Sequence, residues 1–256
     1  MSYELIITEK PAAAKKIAEA LAEGKVIKEL NNKVAYYKLT REGKDIVVCC
    51  AVGHLYSLAE KEKSFKYPSF EIAWVPTSDV DKHATYSKKY LTTIKKLAKD
   101  ADSFTVACDY DVEGEVIGLN IVIHACKKKD ASRMKFSTLT KPDLEKAYAT
   151  KEKTLDWGQA RAGETRHFLD WLYGINLSRA LTTSVKKAGM YKMMSIGRVQ
   201  GPTLKLVVEK EKEIKKFVPV PFWQLQLFGK VNKHDIEAWH EKDKFDDEKE
   251  CLAVLK

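Results

Sequence analysis

The chain has 256 residues, with 45 Lys or Arg, 36 Asp or Glu, 6 His and 5 Cys. Its length suits one large domain or two ordinary ones, and a hydrophobic content of 45% excludes wholesale disorder. The absence of a long apolar run argues against a transmembrane helix, and the five cysteines, with no CxxC pair, argue against a disulfide framework or zinc ribbon and for a reducing, intracellular compartment.

In chain order, residues 3–8 (YELIIT) read as a buried strand rather than a signal peptide. Residues 12–21 follow as a helix with apolar spacing of about 3.6, and Pro11 suits its first turn. Glu9 and Lys10 therefore fall at a strand-to-helix junction, a usual place for site residues in an open α/β sheet. Residues 34–39 and 45–52 read as a strand pair, closed by Gly53, His54 and Leu55. Residues 60–80 show little periodicity and read as an irregular excursion. A basic helix over 87–98 and a buried strand over 103–108 come next. The apolar face of 116–126 predicts a helix, 133–137 a strand and 141–149 a helix. This alternation up to about residue 150 predicts a parallel-type α/β domain.

After Glu152 the strand signal almost vanishes. Residues 158–184 predict a long helix, and another runs from Pro202 to about Lys216. Residues 223–228 and 236–240 read as two strands, and 246–256 as a capped helix. No internal repeat or low-complexity linker interrupts the chain.

Asp109, Asp111 and Glu113 leave a buried strand at alternate positions. Such carboxylates can converge on one hard divalent ion such as Mg²⁺; the plainer reading is an acidic turn at a helix N-terminus. Parallel neighbouring strands would add Glu9 to the group, and four like charges call for a compensating cation. Glu9 alone reads as an ordinary helix-start carboxylate, Lys10 as its partner or a phosphate partner, and lone His54 as a satisfied strand-end group. The net charge of +9 is compatible with a polyanionic partner. Arg161, Arg166, His167, Arg179, Lys186, Lys187, Lys192 and Arg198 crowd the helical region. Residues 195–203 (SIGRVQGPT) place donors before a helix N-terminus, where a phosphate can be held; a solvated basic face is the alternative. Lys205, Lys210, Lys212, Lys215 and Lys216 alternate with glutamates and read as solvent-facing.

Seven segments in this order resemble the N-terminal portion of type IA DNA topoisomerases. They are IITEKPAAAKKIAEAL (6–21), VGHLYSL (52–58), YPSFEIAWVP (67–76), DYDVEGEVIG (109–118), RMKFSTLT (133–140), AGETRHFLDWLYGINLSRALT (162–182) and SIGRVQGPTLKLVVEKEKEIKKFVP (195–219). Glu-Lys-Pro after the first strand and the DYDVEGE form look most like the topoisomerase III and archaeal branch. The resemblance implies a Toprim (Rossmann-like) domain over 1–150. A small all-α, strand-binding domain over 151–216 and the first strands of the β-rich arch over 217–256 would follow.

It also implies a mechanism: ATP-independent single-strand cleavage through a 5′-phosphotyrosine, strand passage and religation. By motif position, Glu9 would handle the proton on the 3′-oxygen and Lys10 would stabilise the scissile phosphate. Asp109, Asp111 and Glu113, with Glu9 beside them, would hold Mg²⁺. Arg166, Asp170, Ser195, Arg198, Gln200 and Thr203 would line the DNA groove. The implied partner is single-stranded or negatively supercoiled DNA, with a cytoplasmic, nucleoid-associated location and no membrane.

Two departures stand out. Ala13 occupies a position where some relatives carry Lys, and Val112 one where bacterial relatives often carry Arg. No tyrosine lies in the family's aromatic-Pro-Arg-Thr context; Tyr67-Pro68 is followed by Ser69. The expectation is an N-terminal fragment or split subunit, inactive by itself, whose tyrosine comes from the C-terminal part of the enzyme. A Toprim nuclease or primase-like protein, and a non-catalytic single-stranded DNA-binding module, are the alternatives.

Overall fold

The computed structural model of the protein describes residues 2–255. The chain forms two compact units, Met1–Gln200 and Gly201–Lys256. No helix among the described residues is long and apolar enough to cross a membrane.

The larger unit is built on six strands: β1 (Tyr3–Thr8), β2 (Ile27–Asn31), β3 (Val34–Arg41), β4 (Lys44–Cys50), β7 (Ala101–Ala107) and the short β8 (Ser132–Arg133). Their order is β2-β3-β4-β1-β7-β8. The β4-β1-β7-β8 half is parallel, while β2-β3-β4 is an antiparallel meander. The sheet is therefore mixed rather than purely parallel, because tight turns at Asn32-Lys33 and Glu42-Gly43 return the chain directly. β1 is apolar on both sides, with Leu5, Ile6 and Ile7 fully buried, as a central parallel strand requires.

Helices α1 (Pro11–Leu21) and α5 (Lys141–Ala149) pack over one face around Ile17, Leu21 and Leu144. Helices α3 (Ser87–Leu97) and α4 (Val112–Asn120) cover the other around Leu91, Ile94, Leu119 and Phe104.

Four stretches differ from expectation: β2 is a strand the sequence reading lacks, the strand expected over 133–137 shrinks to Ser132–Arg133, and two more follow. Residues 60–80 are not wholly irregular: β5 (Tyr56–Glu60) and β6 (Ile72–Pro76) form an antiparallel hairpin, followed by the four-residue α2 (Thr77–Val80). β6 is partly buried along its whole length and shows no alternation, while β5 alternates only over Tyr56 to Leu58, too short a run to stand out. α4 begins at Val112, earlier than its apolar face suggests, because the Asp111 side chain caps it. It continues into a π-helical turn, Ile121–Ala125.

Helix α6 (Trp157–Lys187) spans 31 residues. Gly163 lets it cross α4 at close range: a Cβ there would lie 2.2 Å from Val116 Cγ2 and 3.1 Å from the Val112 carbonyl oxygen. The smaller unit holds most of α7 (Gln200–Lys216), a β9 (Gln226–Val231) to β10 (His234–Trp239) hairpin and α8 (Glu248–Leu255). Phe245 and Cys251 are its buried hydrophobic side chains.

Candidate active site

β1 and β7 are parallel neighbours, with Thr8 opposite Ala107. Glu9-Lys10 and Cys108–Asp111 therefore emerge side by side at the carboxyl edge of the sheet, where open α/β sheets bind ligands. Lys10 Nζ lies 2.6 Å from Asp109 Oδ2 and 3.5 Å from Glu9 Oε1. Burial and the nearby charge of Asp109 raise the Glu9 carboxyl above the usual range; Lys10 opposes the shift and Asp111 adds to it. The hydrogen bond to Asp109, with the charges of both carboxylates, holds the Lys10 ammonium above its ordinary value. Asp111 Oδ1 accepts from Gly114 N at 2.7 Å. A Cβ on Gly114 would meet the Asp109 carbonyl at 2.2 Å, so the loop needs glycine there.

Beneath this loop lies Arg133, wholly buried. Its guanidinium donates to the carbonyls of Cys108, Asp109 and Met134, each at 2.9 Å, and to Glu115 Oε2 at 2.6 Å. Glu115 is also fully buried and accepts from Asp156 N at 2.9 Å. One cation thus fixes the backbone that presents Asp109. In the sequence Arg133 reads only as the start of a strand; its place in RMKF was the available signal.

Glu113 faces a different environment. The Nε2 groups of His54 and His167 lie 3.1 and 2.9 Å from its Oε2, and Arg166 Nη1 lies 3.2 Å from its Oε1. Burial pushes the Glu113 carboxyl up, but the hydrogen bond from His167 and the charges of His167, His54 and Arg166 outweigh it, leaving it below its ordinary value. Burial, then His167, lowers the His54 imidazole. His54 arrives on a tight loop in which Val52 and Gly53 both have positive φ and both donate backbone hydrogen bonds to the Glu9 carbonyl. His54 therefore stands at the strand end with its ring nitrogen within hydrogen-bond distance of Glu113. His167, which reads only as part of a basic cluster, joins it through the α4–α6 crossing. Among the described residues, His54, Glu113 and His167 are the one trio of His, Cys, Asp or Glu whose ligand atoms all lie within 4.8 Å of one another.

From Glu113 a chain of charges runs along α6. Arg166 Nε lies 3.8 Å from Asp170 Oδ2, and Arg198 Nε lies 2.6 Å from Asp170 Oδ1. The Arg198 hydrogen bond holds the Asp170 carboxyl below its usual value. The segment carrying Arg198 is docked on α6 by two hydroxyls one turn apart. Ser178 Oγ exchanges hydrogen bonds with the backbone of Ile196, and Thr182 Oγ1 with that of Met194. The same helix stretch anchors residues 60–69: Arg179 pairs with Glu60 through both carboxylate oxygens, and Asn176 exchanges hydrogen bonds with the Ser69 backbone. The structure therefore links Arg166, Asp170 and Arg198. Ser195 and Gln200 are exposed, and Thr203 is exposed in the smaller unit.

Residues 4–139 match the family model of the Toprim domain, and residues 154–256 that of DNA topoisomerase. The chain is 50% identical over 252 residues to DNA topoisomerase 1 of Methanocaldococcus jannaschii, covering 98% of this chain and 32% of that protein. It is 50% identical over 254 residues to DNA topoisomerase 1 of Pyrococcus horikoshii, covering 98% of this chain and 37% of that one. The chain belongs to the type IA DNA topoisomerases. It spans about a third of the length of these topoisomerase relatives. Full-length topoisomerase I from Thermotoga maritima shares the fold, with a TM-score of 0.62 at 24% identity over 98% of this chain and 37% of that one. Within the topoisomerase frame, Glu9, Lys10, Asp109, Asp111 and Glu113 lie in the Toprim match, and Arg166 to Thr203 in the DNA topoisomerase match.

Proposed function

We propose that this chain is the metal-binding and strand-gripping part of an enzyme that cleaves, passes and rejoins single strands of DNA without ATP. The observation that carries the reading is the juxtaposition of Glu9, Lys10 and Asp109 at adjacent parallel strand ends, with Arg166 and Arg198 tied to the same region through Glu113 and Asp170.

Each residue has a chemical part in this reading. Lys10 places a cation beside Asp109, where an incoming phosphate can exchange for the carboxylate. The raised Glu9 carboxyl retains a proton to a higher pH than an ordinary glutamate, which suits it to protonate a leaving 3′-oxygen and to take that proton back on religation. Arg166, Arg198, Ser195, Gln200 and Thr203 would contact the sugar–phosphate backbone, and Asp170 would orient the two arginines. Such contacts bind strands with little sequence preference.

By donor type the acidic set suits Mg²⁺, although among the described residues its ligand atoms are not gathered within 4.8 Å of one another and Glu113 is turned toward His54, His167 and Arg166. The set consists of hard carboxylate oxygens, and burial, with the charge of Asp109 and to a lesser extent Asp111, disfavours the charged form of Glu9, a penalty that a divalent ion would relieve. Asp109, Asp111 and Glu113, with Glu9 beside them, would hold the ion, which when bound supplies positive charge to the phosphate. The nucleophilic tyrosine would come from outside these 256 residues, and residues 151–216 would form the strand-binding domain, with 217–256 beginning the arch. Acting on chromosomal DNA would make the protein nucleoid-associated.

The test is relaxation and cleavage of negatively supercoiled DNA with Mg²⁺. It compares the chain alone, the chain joined to a tyrosine-bearing segment of a relative, and Asp111→Asn versions of both. Activity confined to the joined protein and lost on substitution is expected. Nicking by the chain alone, with no protein–DNA adduct, would replace this reading with a metal-dependent nuclease.

A further inference from the structure

We propose that His54, His167 and Glu113 form a second cation site, one for an imidazole-preferring divalent ion of the Zn²⁺ class rather than for Mg²⁺. Two nitrogen donors and one carboxylate oxygen are the ligand set that favours such ions, whereas Mg²⁺ prefers oxygen and retained water.

Two of the three ligand-atom separations are close to what a metal requires, and the third is under 4.8 Å. Zn–N and Zn–O bonds of about 2.0–2.1 Å at tetrahedral angles put ligand atoms about 3.3–3.5 Å apart. The two Nε2 atoms stand 3.1 and 2.9 Å from Oε2 of Glu113, and all three ligand atoms fall within 4.8 Å. Opening the two contacts by a few tenths of an ångström replaces hydrogen bonds with metal bonds; each imidazole then carries its proton on Nδ1. The ligands come from three separately fixed elements. His54 rides on the loop after β4, Glu113 on the first turn of α4, and His167 on α6, where the edge of Trp74 packs against its ring at 5.5 Å. Their side chains are 30%, 36% and 29% exposed, so an ion has a route in and water can complete its coordination. Arg166 engages the other oxygen, Oε1, leaving Glu113 to ligate through Oε2 alone. Such outer hydrogen bonds orient a ligating carboxylate.

The consequence is competition. An ion held on Oε2 withdraws Glu113 from the acidic set, so Zn²⁺ would oppose Mg²⁺-dependent work. This consequence rests on the Mg²⁺ reading above; the binding itself does not.

The experiment titrates the metal-stripped chain with Zn²⁺ against a chromophoric chelator and records the visible spectrum of the Co²⁺-loaded chain. One equivalent should bind, with His54→Asn and His167→Asn each weakening it by about tenfold or more. His124→Gln, away from the trio, should leave binding unchanged. The Co²⁺ spectrum should show d–d bands without a thiolate charge-transfer band, since all five cysteines are buried elsewhere. Thermal melts confirm that each variant is folded. Absent Zn²⁺ binding, binding indifferent to both histidines in folded variants, or a thiolate band would each overturn the proposal. Glu113 would then be only a hydrogen-bonded bridge between α4 and α6.

Discussion

Arg133 and Glu115 form an ion pair from which solvent is excluded on both sides, with Nε 2.6 Å from Oε2 and neither side chain exposed. Glu115 closes the DxDxExE run, yet it faces the interior of the sheet rather than the open edge where Glu9 and Lys10 stand. The run thus divides its labour. Asp109 and Asp111 face the strand-end cavity, Glu113 faces α6, and Glu115 holds the arginine that fixes the Asp109 backbone.

Breaking that pair should be among the most damaging single changes in the chain. Arg133→Met leaves a buried carboxylate without its cation and frees the carbonyls of Cys108 and Asp109. A loss of about 3–5 kcal/mol is expected from denaturant unfolding. Arg133→Met with Glu115→Leu removes both charges, so the double variant should lose less than the sum of the singles. Simple additivity would show that the two residues do not act as a pair.

Asp111 has two roles that substitution can separate. Asp111→Asn keeps an oxygen for Gly114 N but removes the charge, so unfolding should shift little while Mg²⁺ affinity falls. Asp111→Ala also loses the cap of α4 and should cost about 1 kcal/mol of stability. Equal destabilisation by both would show that the cap is not made.

Glu9 gives a pH signature in metal-free protein. Its folded-state carboxyl is raised, so the folded chain holds more protons than the unfolded one just above the ordinary glutamate range. Stability from this group is therefore full below that range and declines as pH rises through the raised value. Glu9→Gln should flatten that part of the profile, and its stability relative to the parent should improve as pH rises from 4 to neutrality. Addition of Mg²⁺ should shrink the difference.

Glu60 behaves oppositely. Hydrogen bonds from Arg179, and then Ser69, together with the Arg179 charge hold its carboxyl down at about 2. Its contribution is present above the ordinary glutamate value and is lost as pH falls toward about 2. Arg179→Met should weaken the attachment of residues 60–69 to α6. Faster amide exchange in that segment and a smaller loss of stability on acidification are the expected readouts. Unchanged exchange would mean that Asn176 alone suffices as the anchor.

The parts of the site legible in the sequence are those set by local order. An apolar run ending in Glu-Lys-Pro, and another ending in alternate aspartates, locate two strand ends; parallel pairing then brings Glu9, Lys10 and Asp109 together. What the residues could not reveal depends on distant partners. His54 and His167 meet only because α6 crosses α4. The hydroxyls of Ser178 and Thr182 find the backbone of Met194 and Ile196 only once the chain has turned back after α6. The β5–β6 hairpin escaped because β5 alternates over only three residues and the partly buried β6 not at all.

The α4–α6 crossing can be tested with one substitution made twice. Alanine for glycine in a helix gains about 1 kcal/mol from propensity alone. At Gly174, where nothing lies within 4 Å of the new methyl, that gain should appear as a modest rise in thermal midpoint. At Gly163 the methyl would meet Val116 Cγ2 at 2.2 Å and the Val112 carbonyl at 3.1 Å. Val116 is fully buried and the carbonyl belongs to helix backbone, so neither can yield cheaply. Overpacking of this kind costs about 1–3 kcal/mol, enough to outweigh the propensity gain, so Gly163→Ala should be destabilising. Because the clash separates α6 from α4, it should also loosen His167 and Arg166 from Glu113, read as a shift in the imidazole NMR signals of His167. Adding Val116→Ala should recover part of the loss by opening space for the methyl. A stabilised Gly163→Ala with unshifted His167 signals would mean that the two helices do not approach as closely as described.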